Sequence, residues 1–73
     1  MERAMLLALL ARAEQHIALG KEQINNQYRI IAKLESDGHD TAAAIELLKQ
    51  FTETQQDNEE DRDRLLSKLA AAS

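Results

Sequence analysis

A stripe of mostly apolar residues runs through the first half of the chain at alternating steps of four and three: Leu6, Leu10, Ala13, Ile17, Gly20, Ile24, Gln27, Ile31 and Leu34. This is the seven-residue repeat of a helix that lays one seam against a neighbour. Leu10, Ile17, Ile24 and Ile31 fill one core position of the repeat, and Leu6, Ala13, Gly20, Gln27 and Leu34 fill the other. Leu7, Leu9, Tyr28 and Ile30 flank the seam and widen it past what a two-stranded contact uses, which suits a helix touching more than one neighbour. Two members are unusual. Gly20 costs about 1 kcal/mol relative to Ala inside a helix, and is expected where helices approach closely; a hinge is the alternative reading. Gln27 is expected to form a polar layer that sets register.

A second seam follows through Ala44, Leu48, Phe51, Gln55, Asn58, Arg62, Leu65 and Leu69, with Ile45 and Leu66 at its side. Its middle differs from its ends, because residues 52–64 include no apolar side chain. A helix polar all round is held by ion pairs and by its better-packed ends. Glu60 and Arg64 have the favourable order for an i,i+4 pair, whereas Asp57–Asp61 and Glu59–Asp63 repel. This segment is expected to be loose, to form a polar network between helices, or to meet a partner.

Between the seams lies Leu34-Glu35-Ser36-Asp37-Gly38-His39-Asp40-Thr41. Gly38 reads as a helix stop, since glycine takes the left-handed conformation without a Cβ clash. Asp40 and Thr41 read as helix starters, whose side-chain oxygens can accept from free amides of the first turn. So short a connection predicts an antiparallel hairpin. The expected architecture is all-α: one domain over residues 1–73, with a helix over 2–37, a turn over 38–40 and a helix over 41–70. Folding at Gly38 places Gln55 near Gly20 and Ile24, and Arg62 near Ala13 and Ile17. A lone hairpin leaves one side of each helix wet, so two hairpins are expected to pair into a four-helix bundle. The residues assigned to packing and the dimer interface are Leu6, Leu10, Ile17, Ile24, Ile31, Leu34, Ile45, Leu48, Phe51, Leu65 and Leu69, and those assigned to the turn are Gly38, His39, Asp40 and Thr41.

Composition supports helices and removes other classes. Strong helix formers dominate, Val is absent and the aromatics are Tyr28 and Phe51 alone, which disfavours a sheet. With no Cys there is no disulfide framework and no thiolate metal site. The net charge of −4 is uneven: the first helix is weakly basic, while residues 40–68 carry eight acids against four bases. That balance weighs against broad phosphate-backbone binding. The apolar run over residues 5–13 is too short to span a membrane, and Glu2 and Arg12 do not suit a signal peptide. A cytoplasmic protein is expected.

Chemistry-bearing motifs are missing. Asp57, Glu59, Asp61 and Asp63 have the alternate spacing of a calcium loop, but Arg62 and Lys68 stand where its glycine and glutamate belong. No Glu lies three residues before His16 or His39, so the di-iron bundle signature fails. His16, beside the seam, is expected to be partly buried, and His39 to be a solvated turn residue. Asn25 and Asn26 are expected to face solvent. No catalytic, cofactor-binding or metal-binding residue is assigned, and no enzymatic activity is expected.

From His16-Ile17 through Gly20, Ile24, Gln27, Ile30-Ile31, Leu34-Glu35 and Asp37-Gly38-His39-Asp40-Thr41 to Leu47-Leu48, Phe51, Gln55 and Arg62-Asp63-Arg64-Leu65-Leu66, the chain resembles a set of short bacterial proteins of unknown function. They occur mainly in soil alphaproteobacteria and share an LE-x-DGHDT turn. The resemblance implies a bacterial, cytoplasmic source and adds no activity or site. The functional expectation is therefore a non-enzymatic, homodimeric module that binds another protein. The alternative is an RNA-binding hairpin dimer of the Rop type, with Arg12, Lys21, Arg29 and Lys33 as contacts; it rests on architecture alone, since no basic cluster or exposed aromatic row supports it. Surface attachment to a membrane through residues 5–10 is a third possibility.

Overall fold

The computed structural model describes residues 2–72, which form two long helices packed side by side: α1, Glu2–Ser36, and α2, Ala42–Ala72. The molecule measures 55 × 14 × 12 Å, a rod one helix pair thick. Among the described residues there is no strand, and no helix is long and apolar enough to cross a membrane. The connection occupies residues 37–41, slightly more than the turn alone, because each helix end has its own closure.

At the end of α1, Gly38 adopts φ 74°. That left-handed step turns the next two amides back onto the helix. The Gly38 N–H donates to the Glu35 carbonyl at 3.1 Å, and the His39 N–H to the Leu34 carbonyl at 2.8 Å. This is the Schellman closure, which satisfies carbonyls that the helix end would leave open. Lys33 supports it with an exposed ion pair to Asp37 at 3.4 Å. At the start of α2, Asp40 Oδ1 accepts from the Ala42 N–H at 3.0 Å, and the Thr41 carbonyl takes the first helical bond from Ile45. Asp40 thus holds the first amide with its side chain, and Thr41 contributes its backbone oxygen.

The helices meet along the seams described above. In α1 the residues withdrawn from solvent are Leu6, Leu10, Ala13, Ile17, Gly20, Ile24, Gln27, Ile31 and Leu34; in α2 they are Ala44, Leu48, Phe51, Gln55, Asn58, Arg62, Leu65 and Leu69. Register is marked by two hydrogen bonds. Gln55 Nε2 donates to the Ile17 carbonyl at 2.7 Å and Gln27 Nε2 to the Ala44 carbonyl at 2.9 Å. Ten residues along α1 therefore correspond to eleven back along α2, which is an antiparallel hairpin with almost no offset. α2 is continuous through its polar middle. Thr52 Oγ1 donates to the Leu48 carbonyl at 2.9 Å, so its hydroxyl is satisfied within the helix.

Candidate interaction surface

The seam of a two-helix rod is narrow, so most side chains stay wet. Among the described residues only Leu6, Ala13 and Ile31 are buried apolar residues. The most withdrawn residue is Gln27, at 5% exposure, with Gln55 at 8%. Among the described residues nine large apolar side chains remain exposed: Met5, Leu7, Leu9, Leu19, Tyr28, Ile30, Ile45, Leu47 and Leu66. Nearly as many large apolar groups lie outside the seam as in it, and most of those in the seam are only half-buried.

In the repeat, the position before one core residue and the position after the other flank the seam on opposite sides. The structure shows which flanks of the two helices share a side. Leu9, Arg12 and His16 of α1 line a groove of about 340 Å³ with Asp61, Arg64, Leu65 and Lys68 of α2. His16, Leu19 and Gln23 continue along the same side against Phe51, Thr54 and Asn58. The opposite side is therefore made of Leu7, Glu14, Lys21 and Tyr28 from α1 and Ile45, Thr52, Glu59 and Leu66 from α2, all exposed. On that side both ends are apolar and the middle is polar.

The assigned packing residues divide between these places. Leu6 and Ile31 are buried, and Leu10, Ile17, Ile24, Leu34, Leu48, Phe51, Leu65 and Leu69 are half-buried in the seam. Ile45 lies beside the seam and is 50% exposed. In the turn, Gly38, His39 and Asp40 are exposed and Thr41 is half-buried. His39 contributes its backbone N–H to the helix closure. His16 departs from the partial burial read from its place beside the seam: it is exposed on the groove side, because in a two-helix rod the flanking positions have no third element over them. Asn25 and Asn26 are exposed.

The polar middle of α2 has a specific packing solution. The Gln55 amide lies over Gly20, and a Cβ added at Gly20 would come within 2.9 Å of Gln55 Cδ and closer still to its Oε1. Gly20 thus opens a notch for an amide rather than bringing two backbones together. The notch seats Gln55 well enough to reach the Ile17 carbonyl, but Oε1 is buried without a hydrogen-bond partner. The Glu60–Arg64 pair read from spacing is replaced by Arg64–Asp61 at 2.9 Å, one residue closer, and Arg62 reaches Asp63 at 3.0 Å. These pairs are solvent-facing and each is worth at most about 1 kcal/mol.

The four cations considered for RNA do not converge. Arg12 lies in the groove that Asp61 also lines, Lys33 pairs with Asp37, Lys21 lies on the opposite side, and Arg29 lines a separate shallow pocket together with Glu22. Among the described residues no group of three or more His, Asp or Glu side chains could hold a metal ion. Compared with known proteins, the chain matches no family model, no curated protein and no solved structure.

Proposed function

We propose that this chain is a non-enzymatic interaction module that works as a homodimeric four-helix bundle in the cytoplasm and binds another protein. The observation that carries this reading is that, among the described residues, two large apolar side chains, Leu6 and Ile31, are buried while nine are exposed. Area makes the same point. The accessible surface is 5594 Å², whereas a compact monomer of this mass exposes about 4,500 Å². The excess, about 1,000 Å², is the scale of one partner's share of a stable protein interface, about 800 Å². Pairing two hairpins would cover it. The groove along Leu9, His16 and Asp61 would then stay on the outside, open to a protein partner. The scattered cations give the RNA reading no footing.

Mass in solution tests the proposal. Light scattering after size exclusion, over a concentration series, is expected to give twice the chain mass at micromolar concentration. A monomer throughout would overturn the dimer and leave the apolar faces open to a different protein.

A further inference from the structure

In the dimer proposed above, on which this inference rests, the second copy must occupy one face of the hairpin in one orientation. Of the two sides flanking the seam, the one opposite the groove carries on α1 the row Leu7, Glu14, Lys21 and Tyr28. From N- to C-terminus its chemistry is apolar, acidic, basic, apolar; the next member of the row, Glu35, lies beyond the stretch that pairs. Turned end for end, this row meets its own copy with Leu7 against Tyr28 and Glu14 against Lys21, so every contact is apolar on apolar or acid on base. Its centre falls between Ile17 and Ala18.

The matching row of α2 reverses onto itself without a clash of charge, though its inner pair is a neutral residue against an acid. Reversed on itself, it sets Ile45 against Leu66 and Thr52 against Glu59, with its centre between Gln55 and Gln56. One row further out, Lys49 meets Asp63 about the same level. The two centres were set by two separate helices, yet they stand side by side, because Gln55 is hydrogen-bonded to Ile17. A single two-fold axis can therefore serve both rows.

We infer that the second copy docks on this face about a two-fold axis that runs across the hairpin at right angles to the helices, level with Ala18 and Gln56. Each α1 then lies antiparallel on α1 of the second copy, and each α2 on α2. The other way of placing the same faces together, with the axis along the helices, lays α1 on α2 of the second copy. That sets Glu14 against Glu59 and leaves Lys21 opposite Thr52, a repulsion where the first arrangement has an attraction. The groove side offers no such symmetry. Its α1 row (Leu9 with Ile30) centres near residues 19–20 and its α2 row (Thr54 with Asp61) near 57–58. Those levels are offset by about five residues, roughly 7 Å along the rod at 1.5 Å per residue.

Charge reversal distinguishes the two axes by sign. With the axis across the hairpin, Glu14→Lys faces Lys21 twice per dimer and is expected to raise the dimer Kd about tenfold, and adding Lys21→Glu restores it. With the axis along the helices, Glu14→Lys faces Glu59 and tightens the dimer, which would overturn the inference. Helicity by circular dichroism checks that each variant folds. Cross-linking is the second, independent readout, made clean by a chain without cysteine. Ala18→Cys, near the axis, is expected to form a disulfide between copies under mild oxidation; Ala11→Cys, on the same face but with its own copy about 20 Å away, is not. A wild-type dimer in which neither variant behaves this way overturns the geometry alone. A wild-type monomer overturns the dimeric reading as well.

Discussion

Two glutamines occupy core positions of the same seam, and their surroundings divide the molecule. Gln27, toward the turn, is flanked on its own helix by Ile24 and Ile31 and reaches across to the Ala44 carbonyl. Gln55, near the middle, lies in the notch left by Gly20 and reaches the Ile17 carbonyl, with its own oxygen buried and unpaired. The bonds are alike and the settings are not. Near the turn, a polar group is added to a layer that aliphatic residues already hold. In the middle, the polar group is itself much of the layer, and it carries the cost of an unmet acceptor. Register near the turn is held by apolar packing and by the closure at Gly38. Register in the middle depends on one side chain in one notch.

The hardest test of this contrast removes bulk at comparable places. Ile31→Ala is expected to destabilise the protein by about 2–4 kcal/mol in urea unfolding, because Ile31 is a buried apolar residue of the seam. Asn58→Ala, on the seam of the polar stretch, is expected to change stability by less than about 1 kcal/mol. Equal losses would show that the two regions are packed alike.

Gly20→Ala comes next. On helix propensity alone it would stabilise by about 1 kcal/mol. The new Cβ would instead expel the Gln55 amide from its notch and break its bond to Ile17. We expect a net loss of about 1–2 kcal/mol by the same measurement. A gain would mean that Gln55 moves aside without consequence.

The smallest effect is the most informative. Gln27→Met and Gln55→Met each keep an unbranched side chain and delete an amide. Gln27→Met is expected to cost about 1 kcal/mol, the worth of a hydrogen bond. Gln55→Met also removes the orphaned acceptor, so the change is expected to lie near zero or to be slightly stabilising. Thermal unfolding of the pair, run side by side, decides it; identical shifts would erase the distinction between the two layers.

Much of this architecture could be read before any coordinates. Steps of three and four pick out the same residues that the structure withdraws from solvent, since a helix has one period and its inward positions follow from it. The placement of Gln55 near Gly20 also follows from folding the chain at Gly38, because two straight helices on a short turn have little freedom to slide. His16 is exposed in the hairpin because burial of a flanking residue depends on how many helices surround it, and the sequence pattern alone does not count neighbours. Arg64 pairs with Asp61 rather than Glu60 because i,i+3 and i,i+4 are nearly equivalent on a helix surface, and a side-chain rotamer decides between them.

The sequence by itself thus determined the helices, the face each turns inward and the residue at which the chain reverses. Those properties follow from the helical period and from the conformational freedom of one glycine. Only the tertiary structure decided that Gly20 is a seat for an amide, that Gln55 leaves one oxygen unmet, and that the flanking rows of α1 and α2 fall on a common face at a common level. These depend on distances between two helices, which no spacing within a single helix contains.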